Sequence, residues 1–132
     1  MNKTIDQLTA HFSRNELLNN SRYAEWLAKI DLNFEADYLE FMKVRNGGEG
    51  TIGKDGYVCF WPLEELIQIN EDYAVNEFAP ELFFIGTNLG GTAYGIRKRS
   101  GAFIETEFVG MSDEAAIVHG QSFAEFLLAL SE

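Results

Sequence analysis

Apolar residues recur along this chain at two spacings, three or four apart in some stretches and adjacent or alternating in others, so helices and strands are both predicted. Thr4 with Gln7 has the spacing of a capping box, and Ile5, Leu8 and Phe12 follow at helical intervals, predicting a helix over 5–12. Residues 13–20 are polar and read as loop. Ser21 is placed to cap a second helix, in which Tyr23, Trp26, Leu27 and Ile30 share one face. Asn33 is placed to cap a third, with Phe34, Tyr38, Phe41 and Met42 inward and Asp37, Glu40 and Lys43 toward water. Its acids sit early (Glu35, Asp37) and its bases late (Lys43, Arg45), as the helix dipole prefers. Asn46-Gly47-Gly48 ends it, glycine being expected to supply the left-handed residue.

A short strand is predicted at Thr51-Ile52, a turn at Lys54-Asp55-Gly56 and a buried strand over 57–60. Pro62 suits the first turn of the next helix, with Leu63, Leu66, Ile67 and Tyr73 on its apolar side. Residues 76–81, broken by Pro80, read as loop, and 82–86 as another buried strand. A turn at Asn88-Leu89-Gly90-Gly91 leads to a strand over 92–98. A three-residue loop, Arg99-Ser100-Gly101 with Gly101 left-handed, returns it as 102–108. That register sets Ile96 opposite Ile104, Tyr94 opposite Thr106, and Arg97 diagonal to Glu105. Residues 109–120 leave two readings open, since Ala115-Ala116-Ile117-Val118 suits strand or helix. Ser122 and Glu125 form a second capping box before Phe123, Phe126, Leu127 and Leu130. Trp61, Tyr73, Tyr94 and Phe126 are assigned to the core.

The length, 132 residues, suits one domain over 1–132, which buries roughly two thirds of its unfolded surface. Hydrophobic residues make up 46% and aromatics 14%, with 11 Phe, which argues against disorder. The net charge of −11 repels nucleic-acid phosphates and favours either a basic partner or simple solvation. The single cysteine, Cys59, excludes an internal disulfide, fits a reducing compartment and lies in an apolar run as an inert packed thiol. The first residues lack the apolar stretch of a signal peptide and no run is long enough to span a membrane, so a cytoplasmic location is expected.

Catalytic chemistry is hard to find. The glycines of Gly86-Thr87-Asn88-Leu89-Gly90-Gly91 follow a strand but lead into another strand, without the helix N-terminus and Lys-Ser/Thr pair of a phosphate loop. His11 and His119 have no companion at metal-ligand spacing, so no metal and no cofactor is expected. His119, Ser122 and Asp113 could be drawn as a triad, but Ser122 is better explained as a helix cap. The carboxylate pairs Glu64/Glu65, Glu71/Asp72 and Glu105/Glu107 are too many for any one to be marked as an acid–base site, and solvated faces explain them. The distribution of charge says more. Between Lys54 and Arg97 no basic residue occurs, while Asp55, Glu64, Glu65, Glu71, Asp72, Glu77 and Glu81 are acidic. This is either a solvated helix or a docking patch for a cationic protein, to which Glu64, Glu65, Glu71, Asp72 and Glu77 would contribute.

Three blocks, taken in order, resemble the SUKH superfamily, in particular its Smi/Knr-type branch. The first is Phe34-Glu35-Ala36-Asp37-Tyr38-Leu39-Glu40-Phe41 through Asn46-Gly47-Gly48. The second is Phe60-Trp61-Pro62-Leu63-Glu64-Glu65-Leu66 with Asn70-Glu71-Asp72-Tyr73, Pro80, and Ile85-Gly86 to Tyr94-Gly95-Ile96. The third is Ser122-Phe123-Ala124-Glu125-Phe126-Leu127. Glu35 departs from a frequent proline, and Asn88-Leu89 from an acidic residue and glycine.

The resemblance, strongest over 34–130, implies an α+β domain with a mostly antiparallel, twisted sheet and helices packed on it. It also implies binding without catalysis. Many bacterial members are similar to immunity proteins that block a cognate toxin, often a basic nuclease, which an inhibitor of net charge −11 would attract. Two alternatives differ in class: a regulatory or scaffolding module that binds a host protein, and a small-molecule binder or enzyme built on a deep pocket with convergent carboxylates.

Overall fold

The computed structural model describes residues 2–132. Six strands, β1 (Gly48–Ile52), β2 (Gly56–Phe60), β3 (Leu82–Thr87), β4 (Thr92–Arg97), β5 (Phe103–Glu107) and β6 (Ile117–Gly120), lie side by side in chain order. Every neighbouring pair is antiparallel. Six helices accompany them: α1 (Lys3–Leu8), α2 (Asn20–Ile30), α3 (Ala36–Arg45), α4 (Leu66–Asp72), α5 (Val75–Phe78) and α6 (Phe123–Leu130). A 3₁₀ turn, Leu63–Glu65, precedes α4. The architecture is α+β.

The helix stripes read from the sequence face the core except at Tyr73, but three of the caps lie elsewhere. Asn2 caps α1 by accepting from the Thr4 and Ile5 N–H groups, and the helix stops at Leu8 rather than at Phe12. Asn19, not Ser21, caps α2 and accepts from the Arg22 N–H at 2.9 Å. Glu35, not Asn33, caps α3. In each case a side chain two residues from the expected cap satisfies the free amides. At the end of α3 the left-handed conformation begins one residue early, at Asn46 (φ 52°), and Gly47 after it also has the positive φ (89°) expected of a glycine there. Ser122 and Glu125 form the expected capping box on α6, whose two amide contacts hold the Glu125 carboxyl below its usual range. Pro62 stands just ahead of the 3₁₀ turn as an extended cap rather than within a first helical turn.

Both faces of the sheet are covered, which explains the uninterrupted apolar run of β3. Its side chains alternate: Phe83 and Ile85 join the main core with α1, α2, α3 and α6, while Leu82 and Phe84 join a second cluster with Val75, Ala79, Ala93 and Ile104. The main core is aromatic. Phe123 lies within 5.0–5.7 Å of Phe41, Phe60, Tyr38 and Phe103, measured between ring centroids. The second cluster accounts for a helix the sequence reading missed. Residues 76–81 read as loop, yet Val75 and Ala79, four apart, both face this cluster and wind α5 between them.

The β4–β5 connection differs from expectation by one residue. Arg97 and Ala102 close the hairpin through Arg97 N–H to Ala102 O (2.9 Å) and Gly101 N–H to Arg97 O (2.8 Å), leaving a four-residue loop. Gly101 is left-handed as predicted (φ 75°). Tyr94 consequently faces Glu105, and Ile96 faces Phe103. A slip of one residue reverses the faces. Arg97 and Glu105 therefore lie on opposite sides of the sheet and cannot form the expected diagonal pair. The open stretch 109–120 resolves into a turn and the edge strand β6, with Ile117 and Val118 half exposed.

Candidate functional site

The acidic stretch is carried by the crossover between β2 and β3, and two asparagines hold it in place. The buried Asn46 accepts from the Leu63 N–H at 2.9 Å through Oδ1 and donates through Nδ2 to Glu16 O and Glu64 Oε1. Asn70, on the inner side of α4, copies a strand: it accepts from the Phe84 N–H at 2.8 Å and donates to Phe84 O at 2.9 Å. Its amide also reaches Leu66 O at 2.8 Å. With Leu63, Leu66 and Asn70 turned in, Glu65, Glu71 and Asp72 are left facing outward.

Of the five acids predicted to contact a partner, four are exposed. Glu65, Glu71, Asp72 and Glu77 face solvent, and Asp72 accepts from the Gln68 amide at 2.8 Å. Glu64 differs, being half-buried with one oxygen bonded to Asn46 at 2.8 Å. Glu71 and Glu77 meet at a groove of about 470 Å³, floored by Ile67, Val75, Leu82 and Phe83. Lys98, from beyond the end of β4, also lines this groove. The run without a base in the sequence is thus met by a base in space, which no local pattern could reveal.

The assignment of four aromatics to the core holds for Tyr94 and Phe126, both buried, while Trp61 is half-buried. Tyr73 is a correction. It is 44% exposed and stacks on Phe108 with centroids 4.4 Å apart, because α4 ends at Asp72 and Tyr73 lies past its inward face.

The residues weighed for catalysis take separate structural partners. His119 pairs with Glu105 across β5 and β6. Asp113 accepts from the Glu81 N–H at 3.0 Å, and the Ser122 hydroxyl accepts from the Glu125 N–H at 3.1 Å. In the Gly86-to-Gly91 turn, Asn88 Oδ1 takes the N–H groups of Gly90 (2.7 Å) and Thr92 (3.0 Å), so those donors are spent within the loop. Cys59 is half-buried, and burial, then Glu49, then Glu65 push its thiol pKa up, away from nucleophilic character. Among the described residues no group of three or more His, Cys, Asp or Glu is arranged to hold a metal ion, and no helix is long and apolar enough to cross a membrane.

No curated protein matches the chain. The model of the SMI1 / KNR4 family (SUKH-1) matches residues 20–129, which takes in everything from α2 to the end of α6 except Leu130. An aligned stretch of that extent, running through the whole sheet, is well over half of the molecule. The chain therefore belongs to the SMI1 / KNR4 family (SUKH-1).

Proposed function

We propose that this chain is a non-catalytic, cytoplasmic binding protein of the immunity type, which neutralises a basic protein toxin by covering it. Glu65, Glu71, Asp72 and Glu77 supply the attractive contact, with Glu64 at its inner margin. The observation that carries this reading is the outward presentation of four carboxylates along one crossover in a chain of net charge −11. Such a field raises the rate at which a cationic protein finds its site, and complementary charge then fixes register. Family membership supports the same role, because the resemblance implies binding. Asn46 and Asn70 tie down the 3₁₀ turn and α4, which present Glu65, Glu71 and Asp72, and this lowers the ordering entropy that opposes binding.

The test is co-expression with the product of the adjacent open reading frame, scored for a stoichiometric complex and for growth. Rescue of growth through a tight complex is the expected result. A stable complex with a non-toxic partner would replace the immunity reading with a regulatory one, and no complex at all would overturn both.

A further inference from the structure

Beside the acidic face, three rings run from the interior to the surface. Phe84 of β3 is fully buried and meets Phe108 edge-on at 5.7 Å. Phe108 in turn carries Tyr73, stacked at 4.4 Å with 26° between planes. The outer ring is open to water, and around it Phe78 is 57% and Leu89 63% exposed. Two clefts share this stack as their common wall. One, of about 380 Å³, is lined by Asp72, Phe78, Gly110 and Met111 together with the two rings. The other, of about 350 Å³, adds Trp61, Thr87, Leu89 and Gly91 to the same pair.

Exposed apolar residues scattered singly need no explanation, but a contiguous set arranged around clefts marks a contact surface. The charge around it is of one sign. Asp72 lines the first cleft, and Glu107 Oε2 lies beside Gly91 at the second. Among the described residues no Lys or Arg lines either cleft.

We propose that the Tyr73–Phe108 stack is the energetic centre of the partner interface. Its occupant is a protein surface that seats an apolar side chain in each cleft and surrounds them with Lys and Arg. This rests on the reading above that the chain binds a basic protein, and places the affinity in the rings while the acids supply steering. Aromatic anchors backed by a packed core and ringed by polar residues are where binding energy concentrates. Phe84 beneath the stack means that Tyr73 and Phe108 need little ordering on contact. A second copy of this chain is a poor occupant, because a twofold contact would set Asp72 and Glu107 against the same acids of the other copy.

The probe is a short amphipathic peptide of leucine and lysine, compared with polylysine, followed by calorimetry and by backbone amide NMR shifts. The leucine–lysine peptide should perturb the amides of Tyr73, Phe78 and Phe108 and bind roughly tenfold or more tightly than polylysine. Tyr73→Ser and, separately, Phe78→Ser should each weaken it by roughly tenfold while lowering the melting temperature by no more than about 5 °C. Equal binding of polylysine, or affinity unchanged in both variants, would overturn the proposal. So would a dimer in sedimentation that either substitution dissolves. The same variants separate this inference from the function it rests on. A co-expressed partner complex that survives both substitutions leaves the binding role standing and removes the stack from it. Peptide binding at the stack, lost in both variants, supports the docking surface even where the adjacent gene product forms no complex.

Discussion

The Glu35 carboxylate joins the start of its own helix to Phe123, 88 residues further along: Oε1 accepts from the Phe123 N–H at 2.6 Å, and Oε2 from the Asp37 N–H at 2.8 Å. One side chain thus caps α3 and ties it to α6, directly above the packed rings of Tyr38, Phe41 and Phe123. This is the position where the family resemblance leads one to expect proline, which could not accept either bond. Glu35→Ala should lower unfolding free energy by about 1–3 kcal/mol, read from urea titration, since both amides lose a charged acceptor. Glu35→Gln should fall between the two. Wild-type stability in the alanine variant would show that water serves both amides as well.

Tyr38 lies at the centre of the main core with its hydroxyl buried and without a hydrogen-bond partner among the described residues. Burial, and after it the Tyr23 phenol, drive its pKa upward, so the group stays neutral. Tyr38→Phe removes an unsatisfied polar atom while keeping the ring and should leave stability unchanged or raise it by up to about 1 kcal/mol. A clear loss in thermal unfolding would reveal a partner for the hydroxyl.

Phe126 and Tyr73 make a matched contrast. Phe126 is fully buried between Phe103 and Tyr94, and Phe126→Ala should cost about 3–5 kcal/mol by opening a cavity. Tyr73→Ala should cost within about 1 kcal/mol, as at other exposed positions. A comparable loss in both would return Tyr73 to the core.

The Cys59 thiol should be a slow nucleophile with a signed pH dependence. Burial and the nearby Glu49 and Glu65 carboxylates raise its pKa, so at neutral pH the thiolate is scarcer than in an unfolded chain. Alkylation by iodoacetamide should therefore lag the denatured protein at neutral pH, and the gap should narrow as pH climbs past the folded value. The same linkage lets the thiol's effect on stability stay absent below the unfolded pKa and weigh against the fold above it. Equal rates in native and denatured protein at neutral pH would contradict the shift.

Reversal of charge at Glu65, Glu71, Asp72 and Glu77 together should slow association with an identified basic partner by roughly tenfold or more at low salt, the difference shrinking as salt rises. Stopped-flow mixing across an ionic-strength series measures this. A rate indifferent to the four changes removes these acids from the encounter.

The periodic elements were legible in the sequence because they depend on near neighbours. The stripes Tyr23, Trp26, Leu27, Ile30 and Tyr38, Phe41, Met42, the capping box Ser122–Glu125 and the run Leu82-Phe83-Phe84-Ile85 are patterns of a few residues, and each lies where its spacing placed it, while Phe34 is buried just ahead of the helix it was assigned to. So was the wealth of acid between Lys54 and Arg97, which is a property of the chain alone. Caps and register were harder. Asn19 and Ser21 are both competent to cap α2, and a four-residue loop closes the β4–β5 hairpin as well as a three-residue one. Packing against the rest of the molecule chose between options that differ locally by little.

What the acids surround was decided only by tertiary structure. Lys98 reaches the groove of Glu71 and Glu77 because β4 lies beside β3, and Tyr73 meets Phe108 because β5 brings the end of the sheet under α4. Glu64 leaves the acidic face to hold Asn46, and Glu35 spans two helices distant in the chain. Contacts of this kind join residues that share no periodicity. Local propensity, which acts over a turn of helix or a pair of strand positions, carries no information about them; only forming the sheet and packing both its faces brings such residues within reach.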